Sequence, residues 1–150
     1  MSKTLYIVVP CYNEQEVLPE TAKRLLEKLQ SLVLKNKIAD NSRIMFVNDG
    51  SKDQTWSMIK RLCKESSVFA GVNLSRNRGH QNALLAGMAT AVKYADMIVT
   101  MDADLQDDIN AVDRMIDAYY EGNDVVYGVR SSRKKDTCFK RGTAHLFYKL

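Results

Sequence analysis

Ile98-Val99-Thr100-Met101-Asp102-Ala103-Asp104-Leu105-Gln106-Asp107-Asp108 changes character within a few residues. An apolar run with the length and β-branching of a buried strand stops at carboxylates spaced two apart. Alternation near a strand end aims such side chains towards a common mouth once the backbone turns. Hard oxygens clustered this way suit Mg²⁺ or Mn²⁺ better than zinc, which usually recruits His or Cys. A divalent ion held there could grip a diphosphate. For so short a motif an acidic loop of solvated Asp residues is the competing reading.

The same punctuation recurs upstream. Leu5-Tyr-Ile-Val-Val9 reads as a buried strand and runs into Pro10-Cys11-Tyr12-Asn13-Glu14. Leu18, Ala22, Leu25, Leu26, Leu29 and Val33 follow at helical spacing. Arg43 to Val47 predicts a second strand, followed by Asn48-Asp49-Gly50-Ser51 and a helix capped by Asp53, with Trp56, Ile59 and Cys63 on its apolar face. Val68 to Leu74 predicts a third strand, leading to Ser75-Arg76-Asn77-Arg78-Gly79-His80. A helix from about Gln81 to Tyr94, rich in small residues, comes next. After the strand Met97 to Met101, Val112, Met115, Ile116 and Tyr119 mark another helix, with Asp107 and Asp108 as acids near its start. Val125 to Val129 predicts a fifth strand leading to Arg130, and Phe139 to Leu150 a last helix that stops without a cap.

Strands alternating with helices imply right-handed crossovers and a mostly parallel sheet with helices on both faces, an α/β Rossmann-like architecture. In such sheets ligands bind beyond the carboxyl ends of the strands. Every polar loop named above would open on that edge, which favours a site for a metal ion and a nucleoside diphosphate. GxGxxG is missing after the first strand and no GxxxxGK[ST] occurs, so neither a dinucleotide fold nor a P-loop is indicated.

With 150 residues, 45% of them hydrophobic and 27% charged, the chain can build one domain with a real core. Cys11, Cys63 and Cys138 are sparse and lack a CxxC, which predicts reduced thiols in a cytosolic setting. The apolar run at Leu5 to Val9 is too short for a signal peptide, and no stretch approaches the roughly 18 apolar residues of a membrane span. The net charge of +4 is uneven: residues 125–150 carry +6 and the rest −2. A basic end on a near-neutral body predicts a phosphate-bearing or membrane-surface partner. Nucleic acid is not expected, because the basic cluster has little aromatic interleaving.

Val9-Pro10-Cys11-Tyr12-Asn13-Glu14, Val47-Asn48-Asp49-Gly50-Ser51-Lys52-Asp53 and Met101-Asp102-Ala103-Asp104-Leu105-Gln106-Asp107 resemble, in order, the signatures of family 2 inverting glycosyltransferases. The resemblance covers essentially the whole chain and implies the GT-A nucleotide-sugar-binding fold. The segments Ser75 to Ala83, Gly128 to Arg130 and His145 to Tyr148 are similar to the polyprenyl-phosphate hexosyltransferases, a group that includes dolichyl-phosphate mannose synthases and bactoprenol glucosyltransferases. The implied domain spans 1–150 and is truncated at its C-terminal end. The implied activity is inverting transfer of a hexose, glucose by preference, from a UDP-linked donor to a polyprenyl phosphate. A family 2 transferase acting on a soluble or cell-surface glycan is one alternative, and a nucleotide-binding module without turnover is the other.

The resemblance also implies roles. Pro10, Tyr12 and Glu14 would flank the base, and Asp49 would accept a hydrogen bond from base or ribose. Asn77 and Gly79 would order a loop beside the donor. Asp102 would lie towards the ribose or the metal, Asp104 would be the leading metal ligand and catalytic carboxylate, and Gln106 a third oxygen donor for Mg²⁺ or Mn²⁺. Arg130, the second catalytic residue, would hold a phosphate through paired hydrogen bonds, joined at the acceptor phosphate by Lys140 and Arg141. Location at the cytoplasmic face of the membrane is implied for the full-length protein, with this piece itself soluble. Oligomeric state is left open.

Overall fold

The computed structural model describes residues 2–129. Four strands, β1 (Leu5–Cys11), β2 (Arg43–Asn48), β3 (Phe69–Asn73) and β4 (Met97–Thr100), form one sheet in the order β3-β2-β1-β4, all parallel. Helices α1 (Leu18–Leu34), α2 (Thr55–Glu65) and α3 (His80–Ala91) make the crossovers, and α4 (Ala111–Tyr120) follows β4. Each strand and helix expected before residue 121 is present, within a few residues of its expected ends.

Period-two alternation divides the core. Leu5, Ile7 and Val9 of β1 and Ile44 and Phe46 of β2 point to the face covered by α1, α2 and α4. Val8, Met45 and Val47 point to the other face, where Ala83 and Ala91 of α3 lie. Helix α1 presents Leu18, Ala22, Leu25, Leu29 and Leu32 as one apolar stripe, and each buried Leu is worth about 1.5–3 kcal/mol against exposure. Its C-terminus is closed by Asn36 at φ 55°, with the Asn36 and Lys37 amides donating to the Val33 and Leu32 carbonyls. Helix α3 uses small residues instead. A Cβ on Gly87 would come 2.5 Å from Val8 Cγ1 and 2.7 Å from Val47 Cγ2, so the helix backbone lies almost on the sheet.

Three expectations need correction. Val125 to Val129 is irregular chain, with Val125, Tyr127 and Val129 exposed. An apolar run becomes a strand only where a neighbour supplies its ladder, and among the described residues nothing pairs with the free edge of β4. A cleft of about 870 Å³ runs there between β4, α4 and residues 123–129. Asp53, expected as the cap of α2, sits one residue before the N-cap Gln54, although its carboxylate still accepts the Thr55 N–H at 2.9 Å. The third strand starts at Phe69 and ends at Asn73, inside the Val68 to Leu74 expected.

Candidate functional site

The loops after the four strands meet at one edge of the sheet and are stitched to one another. From the β1 loop, the Asn13 amide donates to Ser51 Oγ (3.0 Å), the Glu14 amide to Thr55 Oγ1 (2.9 Å) and the Gln15 amide to Asp53 Oδ2 (3.2 Å). The β2 loop answers through the Lys52 amide, which donates to Asn13 Oδ1 at 2.8 Å. Asn13 reaches this position at φ 54°, which Asn tolerates better than most residues. Asn48 Nδ2 donates to Asn73 Oδ1 across the ends of β2 and β3 at 2.7 Å. Gly50, at φ 66°, lies against the β3 loop so tightly that a Cβ would overlap the Arg76 carbonyl carbon and the Asn77 nitrogen.

The acidic motif is built by alternation. Met101 and Ala103 are buried, while Asp102 and Asp104 between and beyond them are exposed. The Ala103 carbonyl accepts the buried Thr21 hydroxyl of α1 at 2.6 Å. Asp104 Oδ1 accepts the Gln106 amide at 3.1 Å, closing a turn in which Leu105 has φ 53°. Asp102 Oδ1 lies 3.5 Å from His80 Nε2, at the first residue of α3. Burial, then the negative charges of Asp104, Asp53 and Asp102, push the Glu14 carboxyl above its ordinary range. Acids from the first, second and fourth loops therefore share one electrostatic neighbourhood.

Each expected site residue can now be located. Tyr12, Glu14, Asp49, Asn77, Gly79, Asp102, Asp104 and Gln106 all lie on the loops at this edge. Pro10 is buried inside β1, paired with Val47. Strand alternation turns its missing N–H towards β4, beyond the last β1–β4 pair at Val8 and Thr100, so no ladder bond is lost. Asp49 is only 3% exposed, and its two oxygens accept the amides of Arg78 (2.7 Å) and Gly79 (3.0 Å). Asn77 Oδ1 also accepts the Gly79 amide, at 3.0 Å. The cleft beside β4 touches this edge at Gln106 and Asp107, and Glu14, Asp49 and Asp104 do not line it. Arg130, Lys140, Arg141 and the helix expected at 139–150 lie outside the described residues.

The partners His80 and Thr21 were not singled out as functional from sequence. A histidine at a helix start is ordinarily structural. Thr21 falls on the buried stripe of α1, and a hydroxyl among Leu and Ala is the one signal that could have marked it.

Among the described residues no three His, Cys, Asp or Glu side chains are grouped closely enough to ligate one ion. The donor chemistry nevertheless fits a hard divalent ion. One or two carboxylates, with waters and phosphate oxygens completing the shell, is the usual way Mg²⁺ is held, and Asp102 and Asp104 are exposed carboxylates of that kind. No described helix is long and apolar enough to cross a membrane.

Comparison with known proteins bears on family and fold. The family described as glycosyl transferase family 2 matches residues 6–149. A Bacillus subtilis protein, the uncharacterized glycosyltransferase YkoT, is 49% identical over 146 residues, which is 97% of this chain and 43% of that protein. The prophage bactoprenol glucosyl transferase homolog of Escherichia coli K12 is 38% identical, covering 96% of this chain and 44% of its own length. The bactoprenol glucosyl transferase of Shigella phage SfX is 37% identical, with 96% and 45% covered. The chain thus spans less than half the length of these relatives. Among solved structures, S. aureus TarS 1-349 in complex with UDP superposes with a TM-score of 0.55 at 19% identity, covering 89% of this chain and 40% of that chain. The mannosyltransferase PcManGT of Pyrobaculum calidifontis in complex with GDP-Man and Mn²⁺ gives 0.54 at 22% identity, covering 69% and 28%. Those likenesses bear on the fold, which is GT-A. By its sequence from residue 6 to 149, the chain belongs to glycosyl transferase family 2.

Proposed function

We propose that this chain forms the donor-binding part of a transferase that moves a hexose, glucose by preference, from a UDP-linked donor to a polyprenyl phosphate with inversion. The observation that carries the reading is the meeting of Glu14, Asp49, Asp102 and Asp104 at one sheet edge, with Glu14 held in the field of Asp104 and Asp102. The relatives named bactoprenol glucosyl transferase support the acceptor and the sugar.

In this reading Tyr12, which is exposed, offers its ring to the base, with Pro10 and Glu14 on the same loop. Asp49 retains lone pairs on both oxygens after its two backbone bonds and accepts from base or ribose. Asn77 and Gly79 line the loop beside the donor. Asp102, Asp104 and Gln106 are the residues that would hold Mg²⁺ or Mn²⁺. Such an ion, when bound, supplies Lewis-acid stabilisation of the charge gathering on the departing diphosphate.

The acceptor phosphate is already ionised near neutral pH. One of its oxygens forms the bond to the anomeric carbon as the bond to the donor diphosphate breaks, and the nucleoside diphosphate leaves. No strong base is required. Arg130, Lys140 and Arg141 are assigned to the acceptor phosphate on sequence alone. The +6 segment that contains them suits anionic headgroups, hence action at the cytoplasmic membrane face.

The test is transfer by the full-length protein from labelled UDP-glucose, with a polyprenyl phosphate and a soluble glycan offered together in membranes. Label should enter a chloroform-soluble product only, and Asp104→Asn should abolish it. Label confined to the glycan, or near-normal turnover by Asp104→Asn, refutes the acceptor or the metal assignment respectively. Calorimetric binding of UDP and Mn²⁺ without any product would instead mark a binding module.

A further inference from the structure

The loop Arg76–Gly79 is gripped from the β2 side at two places. Gly50 packs against the Arg76–Asn77 peptide with no room for a Cβ. Two residues on, Asp49 takes the Arg78 amide on Oδ1 at 2.7 Å and the Gly79 amide on Oδ2 at 3.0 Å. These amides are consecutive, so one planar carboxylate holding both fixes the orientation of the peptide between them as well as its position. Gly79 itself has φ 87° and ψ 153°, a conformation essentially reserved for glycine. Nothing lies within 4 Å of where its Cβ would be. Glycine is therefore required there by the bend in the backbone and not by crowding. That bend carries the chain from the grip of Asp49 into α3, whose first residue, His80, faces Asp102 at 3.5 Å.

We infer that Asp49 is a positioning residue for Asp102, acting through the Arg78–Gly79 backbone and the His80 side chain. The β2 signature is thereby joined to the acidic motif after β4 by a route outside the sheet, in which these two strands meet only through β1. Burial to 3% exposure, with each oxygen accepting a backbone amide, is what a side chain that organises the loop requires. The coupling stands on geometry; its consequence for turnover rests on the proposed donor site.

The measurement is amide hydrogen exchange at Arg78 and Gly79, together with the NMR ring signals of His80, in the protein without nucleotide or metal. Asp49→Asn should speed exchange at the Arg78 amide by roughly tenfold or more, the loss expected for a bond to a charged acceptor, and at Gly79 by less, because Asn77 Oδ1 also accepts that amide. It should also move the His80 ring signals while core amides of α1 and β1 keep their protection. His80→Gln should leave Arg78 and Gly79 protected. If Asp49→Asn does not fold, Gly79→Ala tests the same link with Asp49 intact and should displace the His80 signals. Unmoved His80 signals in the folded variants overturn the proposal. Unchanged loop protection with weakened UDP binding in Asp49→Asn also overturns it, and leaves Asp49 a donor contact only. Faster exchange and shifted signals with UDP affinity retained would uphold the coupling and count against the donor-site reading.

Discussion

Replacing Gly50 with Ala separates two effects that the structure combines at this position. Holding a residue with a Cβ at the φ of 66° found here costs about 1–2 kcal/mol. The added methyl would also overlap the Arg76–Asn77 peptide and sit 2.8 Å from Arg76 Cα. These neighbours are backbone, anchored on one side by β3 and on the other by the bonds to Asp49, so they yield poorly. Overpacking adds about 1–3 kcal/mol, and a total loss of about 2–5 kcal/mol is expected. Gly122→Ala is the control, since Gly122 has φ 99°, closes α4 and has open space around its Cβ position. It should lose only the conformational part, about 1–2 kcal/mol. Urea unfolding gives both values, provided the slope m is unchanged between variants. A Gly50→Ala loss within about 0.5 kcal/mol of the Gly122→Ala loss would show that the two loops are not in rigid contact, and the reasoning would fail.

Two further predictions concern pH. Glu14 titrates above its unfolded value, so between the two values the folded chain binds more protons than the unfolded chain; stability therefore falls as pH rises through that window, and Glu14→Gln should raise the melting temperature at neutral pH, a gain that vanishes in acid. Melting curves across pH that show no gain at pH 7 would remove the acid cluster as a source of strain. Asp113 behaves oppositely. Burial raises its carboxyl, but the hydrogen bond and charge of Lys28 at 2.7 Å, with Lys35 and Lys37, outweigh burial and hold it below the ordinary range. Its contribution is present above the unfolded value and lost as pH falls through the folded one. Asp113→Asn should cost about 1–2 kcal/mol at pH 7 and almost nothing once wild-type Asp113 is protonated; a constant difference across that range would contradict the pairing.

Much of the architecture was legible because the chain repeats one local rule. Leu5-Tyr-Ile-Val-Val alternates between two faces that both become buried, and Leu18 to Leu32 keeps a single helical stripe, so periodicity sufficed. The loops of the site were legible for a related reason: polar residues after each strand have one edge to occupy. Val125 to Val129 misled because an apolar run carries strand propensity but no information about its pairing partner. The Asp49 bonds to Arg78 and Gly79 span about thirty residues in sequence and end on backbone amides, which look alike at every position. The pairing of His80 with Asp102 was hidden for the same reason, since it depends on a bend at Gly79 that only coordinates reveal.

Ala103 stands between the two acids with its methyl group sealed inward and its carbonyl tied to the Thr21 hydroxyl. Swinging the peptide that carries Asp102 and Asp104 outward would break the bond to α1 and expose that methyl. What remains free is rotation about side-chain bonds, which takes picoseconds to nanoseconds, whereas loop excursions take nanoseconds to microseconds. Whatever arrives at this edge meets carboxylates that adjust by rotamer on a stationary backbone, so its capture should be timed by diffusion and dehydration and not by the opening of a gate.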